Sequence, residues 1–478
     1  MMNTIVNENV ILFKELEKKV FSYVCELGCS MIQFMLESFN EELMKNRNKK
    51  DLRDKGKRQT SIKTIMGEVA YSRNVCRTID DEGHKAWIYP LDKAMQMDKI
   101  GLFSTNLAEK IANVVSHNSY KTTSEIISNT SGQSISHGGT WGLVQKLGDR
   151  ISNEENCMVK EMDTTDGKGT KEIKLLFEEM DGVWLKMQDK KHKNAPKQEM
   201  KVATTYEGWE NDGKGCNRLS GKIVIAGMEK SDDFHAKREA RIRRTYNADE
   251  IEIRVLNGDG GSWIKEPYDP DVVYQLDRFH IHQCIRRNIV PKEAQGRIIE
   301  LFEEERYDEM FAYISQYADS VESNDEKDKN SKKARELYEY LNNNRAGLTP
   351  WQKQRNDYPE APTGLVYKNM GVQENQNCTI ITLRMKGGRR RWSTSGAHNM
   401  AKLLSCKENK ELVSTIERYT DGIIIAEPIY EILKTLSAAK APKKDGKGNP
   451  YIDILNHHMP MLDAIQTESR KVFRRAFA

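Results

Sequence analysis

No stretch of this 478-residue chain stays apolar over the ~18 to 20 residues that a membrane-crossing helix needs. Its first residues, MMNTIVNENVILFKELEKK, lack the basic start, apolar middle and small-residue cleavage site of a secretory signal. Both absences point to a cytoplasmic protein. The 8 cysteines, at positions 25, 29, 76, 157, 216, 284, 378 and 406, include no C-x-x-C pair. That argues against a zinc knuckle or a thioredoxin-like motif, and in a reducing compartment the thiols are expected to be free. There is no internal repeat, and no strong charge excess: 75 basic and 71 acidic side chains leave a formal net charge of +4.

What the chain does have is enough length for about two to four domains. A hydrophobic fraction of 38% beside 31% charged residues reads as globular. The basic residues are clustered. Lys45 to Lys63 reads KNRNKKDLRDKGKRQTSIK, with nine basic and two acidic side chains. KGGRRRW follows at Lys386 to Trp392, and KAPKKDGKG and ESRKVFRRAFA lie near the C-terminus. Each run alone is as well explained as solvated surface. Together they suggest a polyanion partner, because Lys and Arg displace condensed counterions from phosphate.

Val10 to Met44 carries apolar residues at three- and four-residue steps, which predicts one amphipathic helix. SIKTIMGEVAYSRNVCRT predicts a β-hairpin, completing a region of residues 1–80. Residues 81–165 read as helical. Three short helices between Leu107 and Gly148 suit a helix-turn-helix DNA-binding domain whose third helix enters the major groove, although helical hairpins that bind nothing are common. From residue 166 to 290 the pattern is three strands, a helix, a strand ending in NGDG, a connector, a strand ending in LD, and a helix. This is the order of a ribonuclease-H-like mixed sheet. Residues 291–360 read as an all-helical insertion and 361–420 as the second part of the core, with strand-like or mixed sequence through CTIITLRM. Residues 421–478 read as a basic tail. The fold class is therefore α/β multidomain.

Phosphoryl transfer by two metal ions needs carboxylates from separate segments meeting at one point, and magnesium prefers their hard oxygens. Asp181 sits in the apolar first strand, FEEMDGVWLKM, where an unpaired carboxylate is costly. Glu178 and Glu179 compete with it, but Asp181 is followed by Gly, which leaves room for a ligand. Asp259 ends the fourth strand in LNGDGGS, where the bland alternative is a turn Asp. Glu374 in GVQENQN supplies a third acid from a later helix, where the bland alternative is a solvated Glu. Asp277, in LDRFH, is an alternative second acid. Strand order favours Asp259, because the fourth strand adjoins the first. His280, His282 and Cys284 do not have a common zinc spacing. Trp392 beside Arg389, Arg390 and Arg391 suits stacking on a splayed base with the arginines on phosphate, or else a core Trp beside basic surface.

The segments EMDGVWLKMQ, RVLNGDGGSWI, YQLDRFHIHQCIRRN, GVQENQN and RMKGGRRRWSTSGAHNMAKLL together resemble the ISLre-type insertion-sequence transposases, distant kin of the Mutator-like transposases. The resemblance covers most of the chain. It implies a DDE transposase that cleaves and joins DNA with Mg2+ or Mn2+, two ions held by Asp181, Asp259 and Glu374, with a helical insertion before the Glu. It also implies a Cys/Asp-x-x-His signature, matched by Asp277 and His280, which would shape the site or contact DNA. Expected partners are double-stranded DNA, as element ends and target, and a second copy of the chain in a homodimer or larger assembly near the nucleoid. The competing readings are a nuclease of the same fold without strand transfer, and an inactive DNA-binding derivative.

Overall fold

The computed structural model describes residues 12–420 apart from 80–82, 96–102, 163, 165–167, 189–194, 212, 214–217, 266–271 and 323–328. The expected basic tail at 421–478 lies outside the described residues. Two compact units are formed: residues 1–111, 121–137 and 416–478 make one, and residues 112–120 and 138–415 the other. Among the described residues no helix is long and apolar enough to cross a membrane.

The first unit is built on helix α1 (Phe13–Asn46), strands β1 (Arg53–Lys63), β2 (Glu68–Ile79) and β3 (Lys85–Ile88), and helix α2 (Pro90–Ala94). The strands form an antiparallel sheet in the order β1-β2-β3. The second half of α1 lays Leu36 and Phe39 on Val69 and Tyr71 of β2. Asn40 of α1 donates to the Asn74 side chain at 2.8 Å and accepts from the Asn74 amide at 3.0 Å, which fixes the helix on the strand. Two sequence expectations are corrected here. The basic run does not merely precede the hairpin: its second half is β1, an outer strand with seven successive exposed residues, so no alternation betrayed it. β3 also falls within the stretch read as wholly helical. Helices α3 (Thr105–Val115), α4 (Tyr120–Thr130) and α5 (His137–Glu161) follow, and α5, at 25 residues, is far longer than the short helix expected.

The second unit holds β4 (Leu175–Leu185), β5 (Gln198–Tyr206), β6 (Gly208–Glu210), β7 (Leu219–Ser220), β8 (Ile223–Gly227), α6 (Ser231–Thr245), β9 (Ile253–Gly258), α7 (Ser262–Lys265), β10 (Val273–Leu276) and α8 (Arg278–Asn288). Five strands form a mixed sheet in the order β10-β9-β4-β5-β8. β4 runs parallel to β9 and antiparallel to β5. Its apolar run is nearly continuous because both faces are covered. Met180, Leu256 and Phe234 of α6 pack on one face, and Phe177, Tyr206, Val255 and Trp351 on the other.

The chain then turns helical, through α9 (Lys292–Glu303), α10 (Tyr307–Glu322), α11 (Lys329–Asn343) and α12 (Trp351–Gln354). Ile298, Leu301, Met310, Ile314, Leu337 and Leu341 form a core shared with Ile281 and Ile285 of α8. Strand β11 (Leu365–Val366) pairs with β6. Next come α13 (Gln373–Gln376), a π-helical segment (Asn377–Thr382), α14 (Leu383–Met385), α15 (Thr394–Glu408) and α16 (Leu412–Thr420). CTIITLRM is thus helical, not strand-like. Its β-branched run suggested a strand, but tertiary burial of Ile380 and Ile381 outweighs that weak propensity.

Helix α5 packs along α15 so closely that a Cβ on Gly148 would come within 2.4 Å of the Asn399 Cβ. The helix expected to read the major groove is therefore covered on one side. Lys402 of α15, with no exposed surface, lies 2.7 Å from Glu155 of α5 and 2.6 Å from Glu229, which also pairs with Lys237 of α6 at 3.0 Å. Burial alone would raise the Glu229 pKa, but Lys402, His398 and Lys237 outweigh it and hold it at about 2. Burial opposes Arg254, Arg238 and Arg243 in the same way at Glu239, also left at about 2.

Both carboxyls are depressed from 4.5. The stability they contribute is complete above pH ~4.5 and lost as pH falls towards ~2. A melting temperature that drops steadily over that window is expected, and a flat profile would contradict it. Lys402→Ala removes a buried ammonium from Glu229 and Glu155 and leaves Lys237 as the remaining lysine beside them, so it should cost about 1–3 kcal/mol in urea unfolding.

Candidate active site

Strand β4 carries three acids, and its pleat separates them. Glu178 faces α6 and pairs with Arg238, with Arg254 at 3.7 Å. Glu179 and Asp181 face the other way. Glu179 is fully buried. Its carboxylate accepts from the Tyr206 hydroxyl at 2.6 Å, the Asn257 amide at 3.0 Å, and the backbone N–H groups of Gly371, Val372 and Gln373 at 3.1 to 3.2 Å. Burial pushes its pKa up, against the pull of those donors. Neither glutamate is available for chemistry, since both are spent on structure.

Asp181 and Asp259 meet through strand register. Met180 of β4 is paired with Gly258, the last residue of the parallel neighbour β9, so each aspartate is the next residue along its chain. Asp181 accepts from the Gly182 amide at 2.7 Å and from the Asn377 side chain at 2.6 Å. Asp259 accepts from the Gly261 amide at 2.9 Å. Gly260 between them has φ +89°, and an added Cβ there would meet the Asn344 side chain at 2.8 Å. Tyr340 of α11 donates to the Asp259 carbonyl at 2.8 Å, so the helical segment braces this loop directly. Burial, then the charge of Asp181, raises the Asp259 pKa.

Glu374 is the second residue of α13 and directly follows the three amides that Glu179 holds. Ligand atoms of Asp181, His280 and Glu374 all lie within 4.8 Å of one another, close enough for one cation to reach all three. His280 Nε2 is 3.6 Å from Asp181 Oδ2. Burial would lower the His280 pKa, but Asp181, Asp277 and Asp259 push it up to about 9, so the ring is a cation at neutral pH and offsets the acids. Asp277 is the N-cap of α8, accepting from the amides of Phe279 and His280, and its other oxygen takes the Asn257 amide at 2.7 Å.

The sequence reading missed two neighbours. Asn377, three residues after Glu374 and therefore on its helical face, was legible from that spacing. Glu199 was not, because only the β4–β5 pairing brings it near. Its carboxylate lies against Gly182, where a Cβ would come within 1.8 Å. Burial raises its pKa, opposed by Lys201 and assisted by Asp259 and Asp181.

The expectation for Trp392 is corrected. The ring is 6% exposed, donates to the Met385 carbonyl at 2.9 Å and lies under the Arg384 guanidinium, so it cannot stack on a base. Arg390 caps the carbonyls of Leu383 and Arg384. Arg389 and Arg391 are exposed.

Two stability measurements separate the roles of these acids. Glu179→Ala leaves five donors without their acceptor and should cost at least about 1–3 kcal/mol. Asp259→Asn removes a crowded charge and should gain about 0.5–2 kcal/mol. Destabilisation by the second would show that Asp259 is structural.

The sequence model of a family described as "Uncharacterised protein family (UPF0236)" matches residues 6–419. A relative in Streptococcus gallolyticus, "UPF0236 protein in vanSb 3'region", is 24% identical over 409 residues, covering 83% of each chain. A UPF0236 protein of Caldanaerobacter subterraneus subsp. tengcongensis is 21% identical over 413 residues, 84% of this chain and 79% of its own, and its name joins eleven numbered labels. A second from that organism, whose name joins four, is 21% identical over 415 residues, 84% of this chain and 78% of its own.

Proposed function

The chain belongs to the UPF0236 family, and from that premise and the geometry above we propose that it is a DNA transposase of the DDE type. The observation that carries this reading is the meeting of Asp181 and Glu374, far apart in sequence, beside His280, with Asp259 next in the chain after the Gly258 that pairs with Met180 on the adjoining parallel strand. The sheet order and the helical segment between Asp259 and Glu374 support a ribonuclease-H-like core with an insertion. Names that join eleven and four labels in one organism also support it, because repeated copies in one genome are what a mobile element leaves.

The carboxylate oxygens fit hard divalent cations, and His280 would join them as a ligand only by giving up the proton that the acids hold on it. A pair of Mg2+ or Mn2+ ions there would stabilise the attacking and leaving oxygens of a phosphodiester. Asp181, held by Gly182 and Asn377, would hold the ions together with Asp259 and Glu374. Asp277, whose two oxygens are occupied by the α8 cap and Asn257, keeps His280 in place. Glu179 and Tyr340 set the positions of Glu374 and Asp259. The substrates are double-stranded element ends and target DNA, handled by an assembly of at least two copies.

Alanine at Asp181, Asp259 or Glu374 should lower metal-dependent cleavage and strand transfer on the element's own ends by at least ~10³-fold, with end binding within about threefold of wild type. EDTA should do the same. Cleavage without joining would favour a nuclease. Full activity in Asp259→Ala, with loss in Asp277→Ala, would reassign the second acid.

A further inference from the structure

The pleat of β4 continues past its end. Leu185 and Met187 are buried, while Trp184, Lys186 and Gln188 are exposed. The basic segment after α14 joins β4 here through its backbone: the Trp392 amide donates to the Lys186 carbonyl at 3.0 Å, and the Gln188 amide to the Trp392 carbonyl at 2.7 Å. Met187 and Trp392 are bridge partners, and both side chains are buried. Alternation therefore places exposed Arg391 on the outer side with Lys186. On the other flank, the pairing of Leu185 with Gln198 brings exposed Lys197 level with Lys186. The result is an indole 53% exposed, bordered by three exposed cations and, directly across the strand pairing, by Glu199. Trp184 is three residues beyond Asp181, about 10 Å along the strand and on the opposite face of the sheet.

A flat aromatic face among cations is matched by a nucleobase with its phosphates. A paired, stacked base offers no open face, so the partner must be unpaired. We propose that Trp184, with Lys186, Lys197 and Arg391, is a platform for an unpaired nucleotide of a DNA strand. This rests on the DNA-processing reading above. The stacking residue is thus the Trp on β4, and the buried Trp392 serves to bring Arg391 alongside it.

The test uses the full chain and two fluorescein-labelled probes read by anisotropy, a 20-nucleotide oligothymidylate and a 20-base-pair duplex of mixed sequence. Trp184→Ala should weaken oligothymidylate binding by about 5- to 50-fold, the loss of one base–aromatic stack, and Trp184→Phe should stay within about threefold of wild type. Duplex affinity should change less than about twofold in both. Lys186→Ala should weaken both probes and flatten the salt dependence by about one ion. The platform is overturned if Trp184→Ala binds oligothymidylate like wild type, if it loses both probes equally while its thermal transition is unchanged, or if wild type binds duplex alone. Wild type that binds neither probe would remove the DNA reading itself. Because Trp184 is exposed, its replacement should leave folding intact, and the thermal transition checks this.

Discussion

The candidate site depends on one buried carboxylate that does no chemistry. Glu179 takes three consecutive backbone amides from residues 371–373, and a tyrosine and an asparagine complete its shell. Burying a charge is expensive unless every lone pair is satisfied, and here the satisfaction is supplied by the loop that must be placed. The same interaction therefore stabilises the sheet and decides where Glu374 stands. Asn377 makes the second tie, from the π-helical segment to Asp181. A π-turn widens the helix locally and turns the side chain towards the strand, the kind of distortion found at functional sites.

The helical segment between Asp259 and Glu374 is more than an appendage. Its core is apolar and shared with α8. Yet Tyr340 reaches the Asp259 carbonyl and Asn344 fills the space over Gly260. The two outer acids are thus each held from behind by a residue distant in sequence, Asp259 by α11 and Glu374 by β4.

Much of this could be read in the sequence. The strand and helix order from Leu175 to Asn288 follows the apolar pattern, because β4 and β9 are buried on both faces and read as continuous runs. Asp181 could be chosen over Glu179 by the Gly beside it, although the physical reason is different: Glu179 is consumed by backbone amides that no local pattern reveals. β1 was hidden because an outer strand with two wet faces has no alternation. CTIITLRM misled because β-branched residues in a helix are outweighed only by long-range packing. Trp392 was misjudged because its ring is covered by Arg384 and Tyr120, distant or unremarkable in sequence. Glu199 needed the strand register.

The hold of Glu179 on residues 371–373 also has a consequence for biosynthesis. Glu374 follows Asp181 by almost two hundred residues. At ~5–20 residues per second, a ribosome spends roughly 10 to 40 s between them. During that interval β4 is out of the tunnel with a charged carboxylate and no amides to satisfy it. The sheet cannot close over Glu179 until the loop arrives, and when it does, core and acid triad are completed in one step. A nascent or prematurely terminated chain is therefore left both loosely folded and without Glu374 beside Asp181.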